Sequence, residues 1–440
     1  MWLLPALDHV STLTARVYYR LTIAGSGVPL RGPALLVANH PNSLFDAAMV
    51  AAAARRPVRF LAKAPLFTDP KIGWLVRASG SIPVYRAVDD AASVHRNDEA
   101  FRAAYAVLAG GAAVGIFPEG ISHDEPSLTR LKTGAARIAL GAARLHGDLI
   151  PIIPIGLTLR GKEHFRSEAL VQIGEPIAWA DLAISGSGPA EVKDLTRRIE
   201  AALRSVTVNM ERWEDAPLIE AAAAVYAAAM GEPPAPAQRV AALNEITAIL
   251  KRLRQDENAE WEPLARDLSE HMRVLHALGL RPADLRSQPG MGQAVRWTVR
   301  QLAFFGLTGA MAAAGAAVFY LPHRITDAAV ARLDATPDLR ATSRTLGGAF
   351  FFGLWIIFLA LAVGFAAGVA AGVATLFILP ALALPTLAAL DRWRGAWPVA
   401  RRFLLLWKRA DLRRDLAARQ ARIAERLHLL RQRISVVRGL

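Results

Sequence analysis

The chain of 440 residues contains no cysteine. That absence excludes a disulfide framework, a thiol nucleophile and any zinc site that needs sulfur. No Gly-x-y period and no internal repeat occurs, and apolar residues make up 53% of the chain, so collagen-like and disordered classes are excluded as well. The opening MWLLPALDHV lacks a basic region and meets Asp8 early, so no secretory signal is expected. The most informative absence is charge. Leu302–Leu321 is 20 residues without a charged side chain, and Gly347–Leu390 is 44. About 20 apolar residues cross a bilayer core, so the first run fits one span and the second is long enough for two. A soluble core rarely needs such runs. Neither run contains His, Asp or Glu, so neither offers acid–base chemistry.

The charge that is present is unevenly placed. The chain carries 52 basic against 38 acidic side chains, and residues 391–440 alone carry 14 against 4. A basic tail suits nucleic acid or an anionic membrane. Here it follows apolar runs and no nucleic-acid motif accompanies it, so it reads as a basic amphipathic helix on lipid headgroups, with no nucleic-acid partner. The same tail argues for a cytoplasmic C-terminus. Three full spans would put it on the opposite side from the N-terminal region. Two crossings with a re-entrant element, or membrane-embedded hairpins, reconcile these facts. The expected location is the cell inner membrane with the N-terminal domain on the cytoplasmic side.

Along the chain, residues 1–29 read as an amphipathic N-terminal segment, with Trp2, Leu3, Leu4, Val10, Leu13, Val17 and Tyr18 apolar and Arg16 and Arg20 polar. Both a membrane-interface helix and an ordinary packing helix fit that pattern. Residues 30–215 alternate short apolar runs with helical stretches. Strands are expected at Ala34–Ala38, Val58–Ala62, Ser81–Val84, Ala113–Phe117, Ile152–Leu159 and Leu170–Ile173, and helices at Asn42–Arg55, Asp90–Ala109 and Thr133–Leu145. This alternation predicts an α/β domain with a largely parallel sheet flanked by helices. Residues 216–301 form a helical linker region that includes GEPPAPA at 231–237; residues 302–390 hold the transmembrane segments, and 391–440 the basic helix.

Four blocks carry chemistry. The first is Asn39-His40-Pro41-Asn42-Ser43-Leu44-Phe45-Asp46, between an apolar strand and an Ala-rich helix. An imidazole takes a proton from a hydroxyl, and a carboxylate one turn on holds the ring's other nitrogen. Pro41 discourages helix at His40, and Asn42 or Ser43 is placed to cap the helix that carries Asp46. Taken alone, the block also fits a capped turn with a structural histidine. The second is Gly80-Ser81-Ile82-Pro83-Val84-Tyr85-Arg86, a short strand ending in an Arg suited to a bidentate grip on phosphate, or simply a surface Arg. The third, Gly115-Ile116-Phe117-Pro118-Glu119-Gly120, leaves Glu119 on a Gly-flanked turn where a carboxylate accepts bonds from substrate hydroxyls. His123, Asp124 and Glu125 follow in a polar loop, then Arg130 and Lys132 precede a helix. The fourth, Ile150-Pro151-Ile152-Ile153-Pro154-Ile155, is an apolar strand.

In this order and spacing the blocks resemble those of the glycerolipid acyltransferase superfamily, the lysophosphatidic acid and glycerol-3-phosphate acyltransferases: His-x4-Asp, Gly-x-Ile-x-x-x-Arg, Phe-Pro-Glu-Gly and a Pro-containing apolar strand. The match covers about residues 30–180. The first block departs, because five residues rather than four separate His40 from Asp46. Its form is similar to the branch with yeast-type glycerol-3-phosphate/dihydroxyacetone-phosphate acyltransferases and bacterial relatives, which also carry C-terminal hydrophobic segments. The resemblance implies that His40 deprotonates an acceptor hydroxyl that attacks an acyl thioester, that Asp46 orients His40, and that Arg86 binds the acceptor phosphate with Arg130 or Lys132 as helpers. Glu119 and Gly120 would position the acceptor. It implies no metal and no cofactor; the expected partners are a phospholipid membrane, an acyl-CoA or acyl-carrier-protein donor and a phosphorylated glycerol acceptor. A non-catalytic lipid-binding membrane scaffold on the same fold is the alternative.

Overall fold

Five residues without a polar side chain, Ala34–Ala38, form the centre of a seven-stranded sheet, and all five are buried. A strand apolar at every position has both faces covered, as in parallel sheets walled by helices. The computed structural model describes residues 4–70, 72–86, 95–147, 149–231, 235–255, 261–286, 290–332 and 337–437. They divide into two units that are not contiguous in sequence: 1–213 with 234–245 and 336–342, and 214–233 with 246–335 and 343–440.

The first unit runs α1 (Leu4–Tyr18), β1 (Arg20–Gly25), β2 (Ala34–Ala38), α2 (Leu44–Ala54), β3 (Val58–Lys63), α3 (Pro65–Thr68), α4 (Gly73–Ala78), β4 (Ile82–Val84), α5 (Asn97–Ala109), β5 (Ala113–Ile116), α6 (Gly134–His146), β6 (Ile152–Leu159), β7 (Glu168–Ile173), α7 (Ala180–Ser185) and α8 (Pro189–Val206). The strand order is β1-β7-β6-β2-β5-β3-β4, and every pair is parallel except β6 with β7. The expected mostly parallel sheet is therefore present. β1 is an addition to the expected strands; it pairs with β7 from Arg20 opposite Glu168 to Gly25 opposite Ile173. Of the helix expected over Asp90–Ala109, residues 90–94 lie outside the described residues.

Two apolar layers sandwich the sheet. On one side α5, α6 and α8 bury Leu108, Ile138, Leu195, Ile199 and Leu203 against Leu35, Val37 and Ile152. The spacing of Leu195, Ile199 and Leu203 is the helical period that turns one stripe inward. On the other side α1 and α2 bury Ala15, Tyr18, Met49, Val50 and Ala53 against Leu36, Ile153 and Ile155. Alternate residues of β2 thus face opposite layers. Each fully buried Leu or Ile contributes roughly 1.5–3 kcal/mol. Of the N-terminal segment, Tyr18 is inside while Val10 and Leu13 remain exposed, so α1 packs on one face and leaves apolar side chains on the other. Trp2 and Leu3 lie outside the described residues.

The second unit holds α9 (Ala216–Met230), α10 (Pro236–Gln255, whose first turns belong to the first unit), α11 (Trp261–Leu278), α12 (Met291–Ala331), α13 (Pro337–Ala367), α14 (Val369–Lys408) and α15 (Ala410–Val437). Met291–Ala331, Arg340–Ala367 and Val369–Lys408 are long and apolar enough to cross a membrane. The uncharged run expected to hold two spans is divided at Gly368, which has φ +96°. Of the 231–237 linker, residues 232–234 lie outside the described residues. α15 returns to the start of the unit: Arg426 pairs with Asp267 at 2.6 Å, Arg419 with Glu270 at 2.7 Å, and Arg431 donates to Tyr226 Oη at 2.7 Å.

Candidate active site

The ends of β2 and β5, adjacent parallel strands, deliver the first and third blocks to the same edge of the sheet. At the C-terminal end of such strands the loops are free to carry function, which is where α/β sheets place ligands. His40 leaves β2, and Asp46 opens α2. His40 Nδ1 lies 2.8 Å from Asp46 Oδ2, and the peptide N–H of Asn42 donates to the same oxygen at 2.7 Å. The extra residue in the spacing is taken up at Ser43, whose φ is +53°. That conformation is costly for a side-chain-bearing residue.

The expected side-chain cap does not form. The α2 N-terminus is closed by backbone instead: Phe45 N–H donates to Asn42 O at 3.3 Å and Asp46 N–H to Ser43 O at 3.2 Å. The Asn42 amide is used elsewhere, donating to Tyr19 Oη at 2.6 Å, while Tyr19 donates to the carbonyl of Lys162. Burial pushes the Tyr19 phenol far up, so it remains a neutral donor.

The His40 ring stacks on Phe117 at 4.2 Å between centroids and 10° between planes, and Phe117 in turn lies parallel to Phe60. Its Nδ1 is committed to Asp46; its Nε2 has no hydrogen-bond partner among the described residues, and the side chain is 20% exposed. Asp46 is wholly buried, and its Oδ1 has no hydrogen-bond partner among the described residues. Burial raises the Asp46 pKa; the bonds from His40 and Asn42 pull the other way without cancelling that rise. A base nitrogen facing outward on a ring held from behind by a buried carboxylate is the arrangement general-base chemistry needs.

Glu119 is not open to a substrate hydroxyl as the sequence suggested. It is buried, and both oxygens are taken by the protein. Oε1 accepts His40 N–H at 2.9 Å, and Oε2 accepts the Thr129 N–H and Oγ1–H at 2.9 Å each and the ring of His123. Burial works to raise its pKa, but these hydrogen bonds prevail and the carboxyl lies below its ordinary range. The bond to Glu119 raises the His123 pKa against the effect of burial. Gly120, at φ +76°, turns the chain so that its carbonyl accepts Arg86 Nη1 at 2.9 Å. A Cβ there would meet Lys132 Nζ at 2.7 Å, so the ammonium sits beside this glycine.

His40, Asp46, Glu119, Gly120, Arg86 and Lys132 are thus brought to one place. Arg130 is exposed and has no hydrogen bond or ion pair among the described residues, so nothing ties it to the cluster. Lys162 was not anticipated. It donates to Pro41 O at 2.8 Å and pairs with Asp124 at 2.7 Å, bridging the His40 turn and the 121–133 loop. It follows β6 in a loop that carries no motif, so only the fold reveals it. Tyr19, Asn42 and Thr129 were likewise not marked as site residues.

Residues 20–158 match the family model described as Acyltransferase. Two curated relatives from Saccharomyces cerevisiae are glycerol-3-phosphate O-acyltransferase 2, 36% identical over 30% of this chain and 18% of the relative, and glycerol-3-phosphate O-acyltransferase 1, 36% identical over 27% and 16%. The chain spans less than a fifth of the length of these relatives. Among solved structures, the 1-acyl-sn-glycerophosphate (LPA) acyltransferase PlsC from Thermotoga maritima is similar at 20% identity and a TM-score of 0.36, covering 47% of this chain and 78% of that one. Residues 20–158 thus resemble the Acyltransferase family, and three membrane-length helices follow them in the chain.

Proposed function

We propose that the protein is a membrane-bound O-acyltransferase of phospholipid biosynthesis. It moves a fatty acyl group from an acyl-CoA or acyl-carrier-protein thioester to a hydroxyl of glycerol-3-phosphate, with lysophosphatidic acid as the second acceptor to test. The observation that carries this reading is the His40–Asp46 pair, 2.8 Å apart with Nε2 facing outward. In the proposed reaction His40 Nε2 takes the acceptor's hydroxyl proton, and the oxygen attacks the thioester carbonyl carbon. The C–S bond breaks as the tetrahedral intermediate collapses, and the thiolate leaves with the proton from the His40 imidazolium. Asp46 stabilises that imidazolium and fixes the ring. Arg86, anchored on Gly120, and Lys132 beside it give the cationic edge suited to the acceptor phosphate. Arg130 is a weaker candidate for the same work. The step as written uses no metal and no cofactor beyond the acyl donor. The proposed location is the cell inner membrane with this domain on the cytoplasmic face.

The test is an acceptor panel assayed with one radiolabelled acyl-CoA on the full-length protein in detergent or vesicles. Glycerol-3-phosphate is expected to be acylated, and His40→Ala to lower turnover by about 10²–10⁴-fold while the protein stays folded. Wild-type turnover in that variant removes His40 from the chemistry, and no transfer to any phosphorylated glycerol removes the reading.

A further inference from the structure

His40 is gripped at both of its peptide groups by a single segment. Its N–H donates to Glu119 Oε1 at 2.9 Å, and its C=O accepts the His123 N–H at 3.2 Å. Glu119 is itself seated by that segment, through the His123 ring and through Thr129. The His123 ring has both nitrogens occupied: Nε2 on Glu119, and Nδ1 at 3.2 Å from the N–H of Glu125. The side chain of Glu119 is 0% exposed and that of His123 only 14%. A buried carboxylate survives only when its oxygens are hydrogen-bonded, and these are. Groups spent in this way on the protein affect a reaction only through what they hold, and what they hold is His40.

We propose that Glu119 and His123 act together as a positioning unit for His40, with His123 fixing Glu119 by its ring and the His40 carbonyl by its peptide N–H. The proposal rests on the acyl-transfer reading for its kinetic consequence, although the grip itself does not. It reassigns Glu119 from contact with the acceptor to support of the base. It also gives a task to a histidine whose neighbours in sequence read only as a polar loop. The groups facing the pair are Thr129 and His40 around Glu119, and Glu125, Lys162 and Asp124 around His123. Loss of the grip leaves the Asp46 contact in place but frees the His40 backbone, and a displacement near 1 Å at a reacting group costs on the order of 10²-fold.

The experiment compares full-length wild type, His123→Ala, His123→Gln, Thr129→Val and His40→Ala by acyl-transfer kinetics. In parallel it follows carbethoxylation of His40 by diethyl pyrocarbonate with peptide mass spectrometry, which needs no substrate and no turnover. His123→Ala is expected to lower kcat by about 10-fold or more with the acceptor KM within about twofold, and to speed labelling of His40. His123→Gln retains a donor toward Glu119 and is expected to recover most of both properties; Thr129→Val removes one donor and gives a smaller loss of the same kind. A raised acceptor KM with intact kcat overturns the proposal in favour of substrate contact, and unchanged kcat and labelling overturn it outright. If His123→Ala fails to fold, the Gln and Val variants decide by the same criteria. If wild type transfers no acyl group while labelling responds as expected, the acyl-transfer reading fails and the grip on His40 stands.

Discussion

Asp46 is a carboxylate kept from water with one oxygen unpartnered among the described residues, and burial raises its pKa. The sign of that shift fixes its contribution to stability. A carboxyl whose folded pKa lies above its unfolded value favours the native state in its neutral form, and that contribution is lost as pH rises through the folded value, so ionising Asp46 costs stability. Its retention fits a role in chemistry, where only a charge behind the imidazole stabilises the imidazolium. Asp46→Asn is therefore expected to lower acyl transfer by a large factor with residual turnover, yet to melt no lower than wild type at pH 7. A Tm several degrees lower, measured by circular dichroism, shows that the carboxylate is structural. Glu119 behaves oppositely. Its depressed pKa means its contribution is present above the ordinary carboxylate range and is lost as pH falls through the folded value, while that of His123 is lost as pH rises through its raised one. The two residues look alike in sequence as acids near a histidine; only the seating of their oxygens separates a partner of the base from a support beneath it.

Between strand and helix, the turn that joins β2 to α2 carries the clearest strain. Ser43 holds φ +53° and ψ −124°, and its side chain makes no capping bond. Such a conformation costs about 1–3 kcal/mol for a residue with a Cβ. Glycine relieves it but adds about 0.4–1 kcal/mol of unfolded-state freedom. Ser43→Gly is accordingly expected to raise stability by roughly 1 kcal/mol in a denaturant titration, because the bond at this position, from Ser43 N–H to Ser122 Oγ at 3.0 Å, is made by backbone and survives. A destabilised variant shows instead that the hydroxyl is needed. Neither the strain nor the absent cap was legible in the sequence, where Asn42 and Ser43 read as ordinary N-cap residues. Six of the seven strands were legible, and the clearest, β2, β5 and most of β6, are fully buried apolar runs. β1 was not: it opens on Arg20, three of its six residues are exposed, and its partner lies some 150 positions away. The His40–Asp46 pair was visible because both ends lie in one short block, whereas Tyr19, Thr129 and Lys162 join the site only through the fold.

The membrane half poses a question of parity that contacts inside the second unit answer. α11 precedes all three membrane-length helices and α15 follows them, yet the two pack together through Arg426–Asp267 and Arg419–Glu270, and the nearly buried His271 faces Gln420. Arg402, near the end of α14, pairs with Asp284 at 3.1 Å. Residues on both sides of the apolar region therefore share one face of any bilayer, and the chain between them crosses an even number of times. An even number of crossings is therefore expected, which would keep the tail's basic charge on the side where such charge accumulates. The start of α13 belongs to the first unit: Ala341 is fully buried in its core, and Arg340 pairs with Glu163 at 3.0 Å. α13 and α14 are about 30 Å each over their uncharged parts, and the break between them falls at Gly368, with Phe365 beside it 98% exposed. The cysteine-free chain makes the test direct. Single substitutions Arg273→Cys and Arg414→Cys are probed in sealed vesicles of both orientations with a membrane-impermeant maleimide. Positions 273, on α11, and 414, on α15, are expected to label from one face. Labelling of 414 from the face opposite 273 breaks the even count.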